Sequence, residues 1–183
     1  DLKKLIPTFS KEDITVDGNR YSSETFFSMT DEENPSEINA VVKWKNSRDG
    51  LAGSDIWPTP NGALDYLSAF YFFRSLQLKP GDSFCVDVMV LRKLWRLEGT
   101  VVGREHAATP AGEFDVLHLA GKTALHEKPD QFREIHFWVS DDRFRLPVAA
   151  MGVVRQGTLR AVLSAVHRSD LKLEPARPNS LKW

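Results

Sequence analysis

Cysteine is almost absent: Cys85 is the single cysteine in 183 residues, which excludes an intramolecular disulfide and a cysteine-rich zinc site. Charge of one sign is lacking as well. With 24 Lys+Arg against 25 Asp+Glu and no Lys/Arg run, the chain has no electrostatic footprint for nucleic acid. Long apolar runs are missing too. The densest, Leu64 to Phe73, is broken by Asp65 and Ser68 and falls short of the roughly 18 residues a membrane-spanning helix needs, so an integral membrane protein is not expected. The glycines never form GxGxxG or a phosphate-binding loop, and no GxSxG elbow is present, so no cofactor is expected. What these absences leave is a globular domain, 42% apolar, large enough to bury a core without staples.

What is present is period-two alternation, the mark of strands with one buried face. Ile38, Ala40, Val42 and Trp44 share one parity, and Phe84, Val86, Val88 and Val90 another. Trp95, Leu97, Gly99 and Val101 alternate with polar residues; Leu117 and Leu119 flank His118; Ile135, Phe137 and Val139 alternate with Glu134, His136 and Trp138. Val148 to Val154 and Thr158 to Val166 complete the strands. Lys79-Pro80-Gly81-Asp82 fits a type II turn, and Asp17-Gly18 and Gln156-Gly157 supply positive-φ positions for hairpins. Connections this short require antiparallel neighbours.

One helix is expected from Gly62 to Leu76, capped by Asn61 and bounded by Pro60 and Pro80. Its apolar residues spread around most of the circumference, which implies burial on more than one side, with Phe72 in a residual polar stripe of Asp65, Ser68 and Ser75. Asp31 to Pro35 and Asn46 to Pro60 read as loops. The expected fold is mainly β with one principal α-helix, a curved antiparallel sheet forming a cup or open barrel wrapped around that helix. The expected organisation is a single β-rich domain over residues 1–167 and a C-terminal tail over 168–183, whose Pro175 and Pro178 suit a docking strand.

Chemistry is sparsely marked. None of the five histidines forms HxH, HxxxH or HExxH, so no metal site is expected; His118 and His136 share the non-core parity and face each other if their strands are adjacent. A hydrolase or metal-dependent enzyme would use that pair with a carboxylate such as Glu134 or Asp142, although Ser140-Asp141-Asp142-Arg143 also reads as an ordinary polar turn. Trp44 and Trp95 have core parity. Trp57, in the loop before the helix, Phe72 and Trp138 break the patterns around them and are the candidate residues for a ligand or partner. No catalytic residue is assigned, and a non-enzymatic binding protein is expected.

Three motifs, LDYLSAFYFFRSLQLKPGDSF from Leu64, LEGTVVGREHAATPAGEF from Leu97 and VSDDRFRLPV from Val139, occur in an order that resembles the bacterial family called domain of unknown function 3108, over about 61–166. The resemblance implies an exported protein of the Gram-negative envelope, periplasmic or facing the outer membrane, whose opening at Asp1 would follow removal of an export signal. It implies no catalytic residues; the matching positions, among them Arg74, Gly81, Gly112, Asp141 and Pro147, imply turn and packing geometry. With the residues read above, it leads to an expected function: binding an envelope partner protein or an apolar, lipid-like ligand on a curved sheet. A structural subunit of a larger envelope machine is the alternative.

Overall fold

A computed structural model describes residues 7–16, 18–29, 38–59, 62–154, 157–167 and 181–182. Among the described residues the chain is mainly β with one α-helix, and its sheets are antiparallel except where two short strands join in parallel. It divides into two compact units. The first comprises Asp1–Phe72, Val86–Arg96 and Leu125–Glu127; the second comprises Phe73–Cys85, Leu97–Ala124 and Lys128–Trp183.

The first unit holds a four-stranded sheet in the order β1 (Phe9–Val16), β2 (Asn19–Met29), β3 (Ile38–Asn46), β4 (Ala52–Thr59). Gly18 supplies the expected left-handed position between β1 and β2, with φ of 75°. The parity read for β3 holds: Ala40 and Val42 are fully buried, in a core with Phe27, Ala63, Met89 and Leu94. β4 corrects the expectation of a loop from Asn46 to Pro60. Gly53 and Pro58 suggested a break, but β4 is an edge strand, where proline is tolerated. Gly53 pairs with Trp44, and a Cβ there would lie 2.7 Å from the indole, so glycine is what lets the ring cross the strand.

The second sheet runs β11 (Gly157–Val162), β10 (Pro147–Val154), β9 (Lys128–Ser140), β8 (Gly112–Leu125), β7 (Lys93–Thr109), β6 (Ser83–Val90), β5 (Leu64–Asp65). Within the second unit it is packed on both faces. Phe73 meets Phe84 edge-on at 5.1 Å and stacks near Phe137 at 6.5 Å on one face. On the other, Ala107, Phe114, Val116, Trp138, Val148 and Ala149 form a second core, covered in part by Leu163 and Val166. Gly99 and Gly121 allow β7 and β8 to approach closely, since a Cβ on Gly99 would collide with the Ala120 carbonyl and one on Gly121 with that of Glu98. The end of the tail, β12 (Leu181–Lys182), pairs in parallel with Ala107 and Ala108 of the chain's own β7.

The helix, α1 (Tyr66–Ser75), departs from its expected limits and burial. Asp65 caps it: its Oδ1 accepts the N–H groups of Leu67 and Ser68 at 2.9 and 3.0 Å, and its Oδ2 accepts the Ser68 hydroxyl at 2.8 Å. Asn61, the expected cap, lies outside the described residues. Nor is the helix buried on more than one side. Asp65, Ala69 and Phe73 are buried, whereas Tyr66, Leu67 and Tyr71 are exposed. The buried line runs Asp65, Ala69, Phe73, and it begins at the capping carboxylate that the sequence placed in the polar stripe.

Candidate functional site

The sequence candidates separate. Trp57 and Phe72 belong to the first unit and Trp138 to the second. Trp57 packs on the core of the first unit and lines an open cleft of about 680 Å³ together with Ile56, Leu91, Arg92 and Lys93. Its indole N–H is buried with no acceptor among the described residues. Phe72 is half-buried. Trp138 is only 5% exposed, inside the second core, which accounts for its parity: the sheet of the second unit has no solvated face there.

Trp138 anchors a polar chain. Its Nε1–H donates to Glu105 Oε2 at 2.8 Å, and Glu105 Oε1 lies 2.8 Å from His118 Nδ1. His118 Nε2 lies 2.9 Å from His136 Nδ1, and its ring stacks on Trp138 at 4.6 Å and 11°. The two histidines thus face each other across adjacent strands as their parity suggested. The carboxylate behind them is Glu105, not Glu134 or Asp142. Glu134 is exposed. Asp142 organises the turn after β9, where its Oδ1 accepts the Ser140 hydroxyl and the Phe144 and Arg145 N–H groups at 2.8 to 3.1 Å. Beside it, Arg104 and Arg145 reach the Asp141 carboxylate at 2.6 and 2.8 Å; the Arg104 hydrogen bond foremost holds that carboxyl below the ordinary aspartate range.

Two of the other three histidines, His126 and His106, have local carboxylate partners. His126 Nε2 and the Arg96 guanidinium both reach the buried Asp87 carboxylate. His106 lies between Asp115, at 2.7 Å from Nδ1, and Glu113, at 2.7 Å from Nε2 but off the hydrogen-bond axis. Among the described residues no three His, Cys, Asp or Glu side chains converge as a metal-binding group.

Sequence reasoning missed the outer face of the four-stranded sheet. The registers place Phe9 opposite Phe26, Phe26 opposite Val41 and Val41 opposite Ile56, so one apolar row crosses every strand. Cross-strand partners share a face, and this one is outward: Phe9, Phe26 and Ile56 are 48%, 38% and 68% exposed. The Phe9 and Phe26 rings meet at 5.2 Å. In ordinary antiparallel sheets with one packed face the other face is polar. The exposed apolar residues of β10 and β11 are not aligned in this way; Leu159 stands opposite Gly152 and Val153 opposite Thr158. Alternation in Ser22 to Phe27 is too weak to mark the row from sequence, because only the pairing of four strands assembles it.

The inner face of the same sheet carries a half-buried acid. Glu12 Oε2 accepts the Leu91 N–H at 2.8 Å and the Ser23 hydroxyl at 3.1 Å, yet burial prevails and lifts its carboxyl above the ordinary glutamate range. Leu91 and Arg92 occupy left-handed backbone, with φ of 50° and 65°, at the β6–β7 turn. Arg92 stacks over Trp44 at 3.7 Å and pairs with Asp55 at 2.9 Å.

Fold and site together define a mainly β, antiparallel protein with an apolar stripe on an exposed sheet face. The family model described as protein of unknown function (DUF3108) matches residues 1–164, and the chain belongs to that family. The match takes in the four-stranded sheet as well as the three motifs. No curated protein and no solved structure matches the chain.

Proposed function

We propose that this is a non-enzymatic protein of the Gram-negative cell envelope that binds a partner protein or an apolar, lipid-like ligand on its antiparallel sheet. The row of Phe9, Phe26, Val41 and Ile56 carries the proposal: it is the one place in the described structure where register aligns apolar side chains, three of them exposed and Val41 half-buried, across a whole sheet. No helix among the described residues is long and apolar enough to cross a membrane, which suits a protein that meets its ligand from outside the bilayer. Protein purified from its own envelope and examined by native mass spectrometry with lipid extraction tests the reading. Wild type is expected to carry a partner or lipid that the double variant Phe26→Ser/Ile56→Ser loses. A wild type that carries nothing, in both native spectra and cross-linking, overturns it.

A second reading, acid–base chemistry, is favoured by one observation: Glu105 stands behind His118 as an orienting carboxylate, with His136 ahead of it. That reading requires the His136→Ala variant to lose a detectable activity while retaining its fold.

A further inference from the structure

We propose that the outer face of the four-stranded sheet docks on the surface of an anionic phospholipid bilayer. The inference rests on the binding role just given to that face and names what is bound.

Three strand spacings of about 4.8 Å make the apolar row about 14 Å long. The next rows on the same face, two residues along each strand, hold Lys11, Glu24 and Lys43, then Asp13 and Lys45, with Arg20 beyond. This face therefore carries four cations, Lys11, Arg20, Lys43 and Lys45, against two carboxylates, Asp13 and Glu24, although the whole chain has a net charge of −1. Both carboxylates are engaged by cations of the face, Glu24 by Lys11 at 3.0 Å and Asp13 by Arg20 at 3.2 Å. The excess falls on Lys43 and Lys45. Lys43 Nζ lies 5.2 Å from the centre of the Phe26 ring, so a cation stands directly beside the apolar row.

Charge complementarity and shape select the occupant. Apolar anchors beside exposed lysines match the two layers of an anionic membrane surface: Phe9, Phe26 and Ile56 reach the acyl boundary while Lys43 and Lys45 meet phosphate headgroups with their stems on the apolar side. A row spread across the face of a sheet suits a broad surface better than an extended peptide, which would add to an edge. Each lysine near an anionic surface contributes about fivefold in partitioning, and the attraction weakens with salt.

Co-sedimentation of the full chain with phosphatidylcholine vesicles, with and without about 30% phosphatidylglycerol, tests this. Wild type is expected to bind the anionic vesicles at least about tenfold more strongly than the neutral ones. Lys43→Gln/Lys45→Gln is expected to lose about tenfold or more on anionic vesicles, and Phe26→Ser/Ile56→Ser about tenfold at unchanged charge, both with wild-type thermal melting. Equal binding to the two vesicle types, binding to neither, or wild-type binding by both folded variants overturns the inference. If vesicle binding fails while the Phe26→Ser/Ile56→Ser variant still loses a ligand or partner that wild type brings from the envelope, the bilayer is excluded and the binding role stands. If that loss is absent too, both fall.

Discussion

The sheet of the first unit and the His118-bearing sheet of the second both carry apolar or aromatic residues where alternation assigns polar ones, and they dispose of them differently. In the second unit Trp138 is buried by the chain itself: Leu163 and Val166, from the segment after β11, pack on its core, and Glu105 takes its indole N–H. In the first unit Phe9, Phe26 and Ile56 remain exposed. The same break in pattern is thus core packing where a following segment returns over the face, and available surface where none of the described residues does.

The sharpest way to break this contrast is through the doubly packed sheet. Gly99→Val drives a side chain into the Ala120 carbonyl, and urea denaturation is expected to show a loss on the order of 3 kcal/mol or more. A loss below about 1 kcal/mol would mean that β7 and β8 part easily.

Glu105→Ala comes next. It strands the Trp138 N–H and the His118 Nδ1 in a covered face, and an expected cost of about 2–4 kcal/mol in urea denaturation distinguishes a satisfied buried network from a solvated one. The matching change in the first unit, Phe26→Ser/Ile56→Ser, is expected to stay within about 1 kcal/mol, because both side chains lie on the outer face and outside the core.

The units also carry acids with opposite pH dependence. Glu12 in the first unit is raised by burial, so the folded chain holds that proton more tightly than the unfolded chain, and stability falls as pH rises from the ordinary glutamate value through the raised one. Glu12→Gln is expected to melt progressively higher relative to wild type over that window. Asp141 in the second unit is lowered, chiefly by the Arg104 hydrogen bond, so its contribution is present above the ordinary aspartate value and is lost as pH falls through the lowered one. Asp141→Asn is expected to melt lower than wild type at neutral pH, with the gap closing in acid. Melting curves across pH for both variants check the two signs.

Much of the fold was legible because it rests on local signals. The alternation of Ala40 and Val42, the positive-φ turns at Gly18 and Gly81 and the Asp142 turn each depend on a few adjacent residues. β4 was not legible, since Gly53 and Pro58 carry loop chemistry and only the Trp44 ring and the edge position explain them. The helix was misjudged because buried Asp65 is a cap rather than a solvent-facing residue. The pairing of His118 with His136 was readable from parity, but Glu105 was not, because it comes from a third strand whose register is set at long range. The outer row follows from inter-strand register alone, which no single segment encodes.

Site-specific photocross-linking in cells, with a benzophenone side chain replacing either Phe26 or Phe132, asks whether the outer row is a binding surface or merely exposed. Both are exposed phenylalanines, at 38% and 55%, the first in the outer row and the second on β9. A lipid or discrete protein adduct is expected from position 26 and none from the more exposed position 132. Adducts of equal yield from both, or none from position 26, would contradict it.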